Sequence, residues 1–196
     1  MIYIATTNYS KYKSLKRTLH LINNDIETKS IFRKKLNPPL ETGKNESEDA
    51  LIKARYYSEK IKGDVLCEDD RININIKNEN GEIKVETISF NTKEKVAYLK
   101  QYLNRHKVAD GTIVKAIVGC NNKNNSYFLE KVEIPVKFVY IHNKIYNNSS
   151  NILNYFMVPK GFLNTFSKMR EINKQKFSKK YLKPPLERIL EKLGYE

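Results

Sequence analysis

The sequence predicts an α/β fold, and three stretches carry that prediction. Residues 1–22 read as strand, polar turn and helix; residues 45–67 read as helix, glycine and strand; residues 72–90 read as two strands joined by a tight turn. Apolar residues recur at a spacing of two in some of these stretches and at helical spacing in others, so both kinds of element are expected in one chain.

In chain order, Ile2, Tyr3, Ile4 and Ala5 form the first strand, and Tyr12, Leu15, Leu19 and Ile22 mark the apolar face of the helix that follows. Between them lies a hydroxyl-rich turn, Thr6 to Ser10. Residues 23–40 are a basic connector closing on Pro38-Pro39, where a helix cannot continue. The next helix is bracketed by local signals. Asn45 with Glu48 three residues later is a capping-box pattern, Ala50, Ala54, Tyr57 and Ile61 recur at helical spacing, and Gly63 supplies the left-handed residue that ends it. Val65, Leu66 and Cys67 make a short buried strand that runs into three carboxylates, Glu68, Asp69 and Asp70.

Ile72, Ile74 and Ile76 then alternate with Asn73 and Asn75 as in a half-buried strand, Asn80-Gly81 turns the chain, and a return strand covers 83–90. A helix over 92–104 buries Val96, Leu99 and Leu103. Three strands are expected near 112–120, 126–133 and 135–141, separated by the loop 121–125 and by Pro135. His106 and His142 lie in polar, loop-like surroundings and read as solvated, and 143–151 reads as an exposed loop. Pro184-Pro185 breaks the chain before a last amphipathic helix that runs through Leu193 and ends at Gly194.

The 196 residues are most simply one domain, 1–196, large enough to bury roughly 70% of the unfolded surface. Lys and Arg number 36 against 22 Asp and Glu, and the net charge of +14 favours a polyanionic partner: a nucleotide, nucleic acid or an anionic membrane surface. Cys67 and Cys120 are too few and too far apart for a zinc site or a disulfide framework, which fits a reducing compartment. No apolar stretch approaches the roughly 20 residues of a membrane span, and the amino terminus lacks the apolar run of a signal peptide. A soluble, cytoplasmic protein with no membrane partner is expected.

Two stretches carry candidate chemistry. Thr6, Thr7, Asn8, Tyr9 and Ser10 open a helix, where free backbone donors and the positive end of the dipole face an anion, and Lys11 adds a formal charge in the first turn. Ordinary N-capping by Asn8 explains the same residues without a ligand. Glu68, Asp69 and Asp70 would repel one another unless a cation or donors sat against them, and hard oxygen ligands of this kind suit Mg2+. Here too there is a plainer alternative, in which Glu48 is only the capping-box glutamate and the acidic run is a solvated loop.

The stretch E-T-G-K-N-E-S-E-D-A-L-I-K-A at 41–54, followed by V-L-C-E-D-D-R at 65–71, resembles the signature of the inosine triphosphate pyrophosphatase family of non-standard purine nucleoside triphosphate pyrophosphatases: E-T-G-x-T-F-x-E-N-A-x-x-K-A, then a strand ending in D-D-S-G. The family's amino-terminal A-T-x-N-x-x-K is matched by Ala5, Thr6, Asn8 and Lys11, with Thr7 where Gly is frequent. Towards the carboxyl end, Pro159, Gly161, Thr165, Lys174 and Ser178 fall at matching spacing, and Lys179 and Lys180 take the places of a His-Arg pair. Departures are also plain. The P-G-x-x-S-A-R segment is absent, the base-reading F-G-Y-D-P has become residues 151–155, and Asp70 and Arg71 stand for Ser and Gly.

The resemblance implies a long, curved, mixed β-sheet flanked by helices, with two lobes and a central cleft, and a homodimer. It implies Mg2+-dependent hydrolysis of a nucleoside triphosphate to monophosphate and pyrophosphate. On this reading Glu48, Glu68 and Asp69 hold the metal, and Asp69 and Lys53 are catalytic. Thr6, Thr7, Asn8, Lys11, Asp70, Lys174, Lys179 and Lys180 bind substrate. On an ideal helix Glu48 and Lys53 project about 140° apart, so they share a ligand only if it straddles the helix end. The alternatives are a nucleotide-binding relative impaired in catalysis and a nucleic-acid-binding protein that uses the basic run Lys160 to Lys183 with its interleaved aromatic residues.

Overall fold

The structure is a computed structural model, and it describes residues 1–34, 36–78, 80–88, 93–140 and 152–195. The described elements are β1 (Ile2–Ile4), α1 (Tyr9–Ile22), β2 (Thr28–Ser30), α2 (Glu46–Lys60), β3 (Asp64–Lys77), β4 (Ile83–Ile88), α3 (Lys93–His106), β5 (Val108–Asn121), β6 (Ser126–Val139), β7 (Met157–Pro159), α4 (Glu171–Phe177) and α5 (Lys183–Leu193), with short 3₁₀ turns between. The strands form a seven-stranded mixed sheet in the order β2-β1-β3-β5-β6-β7, with β4 paired to β3. β1 is parallel to both β2 and β3, whereas β3–β4 and β6–β7 are antiparallel. The chain divides into two compact units, one of Met1–Asp70, Lys115–Val132 and Lys174–Glu196, the other of Arg71–Val114 and Glu133–Asn173.

In the first unit, α1 starts where expected. The Asn8 side chain accepts from Ser10 and Lys11 backbone N–H groups, and Leu15 and Leu19 are fully buried. Asn45 caps α2 in the same way through Ser47 and Glu48. Ala50, Ala54, Tyr57 and Ile61 pack with Val65 and Cys67 of β3 and with Ala116, Val118 and Cys120 of β5, so α2 covers one face of these strands. The opposite face of β5 carries Gly119, where a Cβ would come within 2.4 Å of Ile189 of α5. Gly63 lies past the helix end: α2 stops at Lys60 with Ile61 as its cap, and Gly63, at φ 148°, turns the chain into β3.

Three strand expectations change. The connector 23–40 contributes β2, a polar edge strand held by pairing to β1. The acidic triplet does not end a strand but lies inside the fourteen-residue β3. In the second unit β6 runs through Pro135 without interruption. The Pro135 carbonyl accepts from Lys160 N–H just past β7, so the missing amide faces that short edge strand and removes no bond from the inner side of the sheet.

The hairpin expected at Asn80-Gly81 joins β3 to β4, with Gly81 left-handed at φ 82°. α3 extends to His106, whose ring stacks on Tyr102 at 4.3 Å. The ends of the return strand and of the helix expected from residue 92, together with His142 and the loop 143–151, lie outside the described residues. The second proline pair also behaves differently from expectation. Pro184 and Pro185 sit in the first turn of α5, where no amide donor is needed, and a π-helical turn, Ser178–Leu182, connects α4 to α5 without a break. α5 ends at left-handed Gly194, as expected.

Candidate active site

β1 stops at Ile4; the Ala5 N–H donates to the Leu66 carbonyl at 2.9 Å and the chain turns away into α1. β3 continues past that point. Glu68, Asp69 and Asp70 therefore extend beyond the carboxyl end of their parallel neighbour and meet the first turn of α1. Strand alternation divides the three acids: Asp69 shares the α2-covered face with Val65 and Cys67, while Glu68 and Asp70 share the other face with Leu66.

On the α2 side, Lys53 Nζ lies 3.0 Å from Asp69 Oδ1 and 2.8 Å from Glu41 Oε1. Asp49 stands one helical turn before Lys53, and one carboxylate oxygen from each of Glu41, Asp49 and Asp69 lies within 4.8 Å of the other two. Glycine at position 43 makes this possible. A Cβ there would come within 2.7 Å of the Asp49 amide nitrogen and of Asp49 Oδ1, and the Gly43 N–H donates to that same oxygen at 2.8 Å. The E-T-G segment is thereby folded onto the start of α2, which brings Glu41 to Lys53. Three oxygen ligands of this kind fit a hard divalent cation, which takes carboxylates and phosphate oxygens in preference to nitrogen or sulfur. Burial raises the Asp49 pKa, and the Asp69 and Glu41 charges add to it against the Gly43 hydrogen bond and Lys53.

On the other side, Lys11 is ion-paired with Asp70 and lies 3.6 Å from Asp69. Lys115, from β5, reaches Glu68 at 3.0 Å; their side chains are 11% and 2% exposed. Burial alone would raise the Asp70 pKa, but Lys115, Lys11 and Lys53 outweigh it and hold the group at about 2. Burial would likewise depress the two lysines, yet Asp70, Glu68 and Asp69 keep Lys11 above its ordinary value and Asp69 and Glu41 keep Lys53 above it. Asp70, Lys11 and Lys53 are therefore all shifted toward their charged forms.

Asp69, Lys53, Lys11 and Asp70 come together as the sequence suggests. Glu68 joins them but is engaged by Lys115 rather than turned to the Asp69 side. Glu48, expected as a ligand, is instead turned back on the helix start, where Oε2 accepts from Lys44 N–H at 2.8 Å and Oε1 from Asn45 Nδ2 at 3.3 Å. Its neighbour Asp49 takes the place in the cluster.

Thr6 Oγ1 accepts from the Asn8 N–H at 3.1 Å and Thr7 is exposed. With Ser10 and Lys11 amides bound by the Asn8 side chain, the turn is self-capped, and Lys11 supplies its charge through the side chain. Lys174 lies in α4, and Lys179 and Lys180 are exposed on the π-helical turn, with Lys180 Nζ 4.9 Å from the Tyr181 ring centre. Phe177 and Tyr181 are buried, so neither offers a free stacking face to nucleic acid.

Sequence reasoning missed Glu41, Asp49 and Lys115. The helical wheel holds the signal for Asp49, which projects only about 40° from Lys53 where Glu48 projects about 140° away. Glu41 opens the E-T-G motif itself. Lys115 interrupts an apolar run, I-V-K-A-I-V, that predicts a buried strand.

A model of the Ham1 family matches residues 2–182. No curated protein sequence matches the chain. Among solved structures, similar ones include a HAM1 protein from Coxiella burnetii, 15% identical with a TM-score of 0.61 over 98% of this chain and 95% of that one. The Staphylococcus aureus Ham1 protein is 14% identical with a TM-score of 0.57, covering 88% of each chain. A nucleoside-triphosphatase described as a dITP/XTP pyrophosphatase, from Mycobacterium abscessus, is 17% identical with a TM-score of 0.54, covering 91% and 92%.

Proposed function

The chain belongs to the Ham1 family, and from that premise we propose that it is a nucleoside triphosphate pyrophosphatase acting on non-standard purine nucleotides with Mg2+. The observation that carries the proposal is the convergence of Glu41, Asp49 and Asp69 on one point, flanked by Lys53 and Lys11. Carboxylates alone would repel a triphosphate, and lysines alone would bind it without activating water. Only the combination suits phosphoanhydride hydrolysis. In the reaction, water oxygen bonds to the α-phosphorus, the bond to the bridging oxygen breaks, and the products are monophosphate and pyrophosphate.

Asp69 accepts the proton of the attacking water. Lys53 and Lys11 leave their carboxylate partners for phosphate oxygens and hold the chain in line. Glu41, Asp49 and Asp69 would hold the metal, which supplies neutralisation of charge developing on the phosphates. A homodimer in the cytoplasm belongs to the same proposal; the family and two buried, free cysteines support it.

The test is pyrophosphate release from a panel of purine and pyrimidine triphosphates with Mg2+. Turnover on at least one purine triphosphate is expected, falling about 10²–10⁴-fold in Asp69→Asn with the fold retained. Nucleotide binding without turnover on any substrate would replace the enzyme with a binding protein of the same ancestry.

A further inference from the structure

The three lysines of the cluster are not equivalent. Lys11 stands in the first turn of α1 and faces two acids, Asp69 and Asp70; Lys53 stands on α2 and faces two, Asp69 and half-exposed Glu41. Lys115 stands inside β5, and its ion pair with Glu68 is the driest of the set. Alternation explains its position. Ala116, Val118 and Cys120 face α2, so Lys115 faces the opposite way, as do Glu68 and Asp70 on β3. A buried ion pair is seldom more stabilising than an apolar pair of the same volume. Its presence in the core of a sheet, one residue from Asp69, calls for a role other than stability.

We propose that Lys115 is a positioning residue: by neutralising Glu68 it screens that charge from the neighbouring metal-binding set and leaves Lys11 and Lys53 as the cations that pass from Asp69 and Asp70 to the phosphates. The inference rests on the proposed hydrolase reading. Without Lys115, Glu68 is an uncompensated buried anion close to Asp70, and Lys11, already paired with Asp70, is drawn to answer both. Lys11 would then be held back from the phosphates, while the extra negative charge would strengthen the attraction for a divalent cation. A lysine with a merely structural part would change stability and leave both affinities alone.

Calorimetric titrations of wild type, Lys115→Met and Lys115→Arg separate these outcomes, with Mg2+ alone as one probe and inorganic tripolyphosphate in the presence of Mg2+ as the other. Lys115→Met is expected to bind Mg2+ roughly three- to tenfold more tightly and tripolyphosphate roughly three- to tenfold more weakly. Lys115→Arg, which keeps the charge, should keep both affinities within about twofold. The double variant Glu68→Gln with Lys115→Met removes both charges, remains foldable if the single variant does not, and should return both affinities to within about twofold of wild type. Shifts in the same direction, or a lowered melting temperature with both affinities unchanged, would overturn the proposal. Failure of wild type itself to hydrolyse any triphosphate would instead overturn the hydrolase reading, independently of Lys115.

Discussion

The two halves of β3 obey the same alternation with different chemistry. From Arg71 to Lys77, in the second unit, buried Ile72, Ile74 and Ile76 alternate with half-buried Arg71, Asn73 and Asn75. That half is specified by its own residues. From Asp64 to Asp70, in the first unit, Val65, Leu66, Cys67 and Glu68 are buried one after another, so both faces are covered and the period of two disappears from the sequence. The three acids of this half, Glu68, Asp69 and Asp70, are accommodated in the strand because Lys11, Lys53 and Lys115, from two helices and another strand, meet them. One half is held by apolar contacts on its buried face. The other adds to a buried apolar start, Val65 to Cys67, a charge balance in which each acid depends on groups distant in the sequence.

Removing one partner of a buried pair should expose this difference most strongly. Glu68→Ala strands Lys115 in the sheet and should destabilise the protein by about 3–5 kcal/mol in denaturant titration. In the other half, Ile74→Ala creates a cavity and should cost about 2–4 kcal/mol, without altering the affinity for Mg2+. An equal loss of metal affinity in both variants would erase the distinction between the halves.

The smallest effect, and the most diagnostic in shape, concerns pH. The Asp70 pKa lies below its ordinary value of 3.8, at about 2, so the stability it contributes is fully present above about pH 4 and is lost as pH falls towards 2. Asp70→Asn should be on the order of 2 kcal/mol less stable than wild type at pH 7, with the gap closing between pH 4 and pH 2. A gap that persists at pH 2 would mean that Asp70 acts by packing rather than by charge.

Local rules made much of the scaffold legible. Asn8 and Asn45 cap helices because their side chains reach amides two and three residues on, Asn80-Gly81 turns a hairpin because Gly81 takes a positive φ, and Gly194 ends a helix for the same reason. Each of these signals is contained in a few neighbouring residues. β2 was not legible, because Thr28, Lys29 and Ser30 become a strand only by pairing with β1. Pro135 misled for a related reason, since a missing amide matters only on the side where a partner strand waits.

At the site, the sequence by itself determined which charges exist and that Lys53, Asp69 and Lys11 belong to recognisable segments. The tertiary structure decided which acids converge. Glu41 arrives because Gly43 lets a loop fold onto a helix start, Asp49 displaces Glu48 because only one of them shares a helical face with Lys53, and Lys115 arrives from a strand more than forty residues away. Coulombic attraction depends on distance in space, and spacing along the chain fixes that distance only within a single helix or strand.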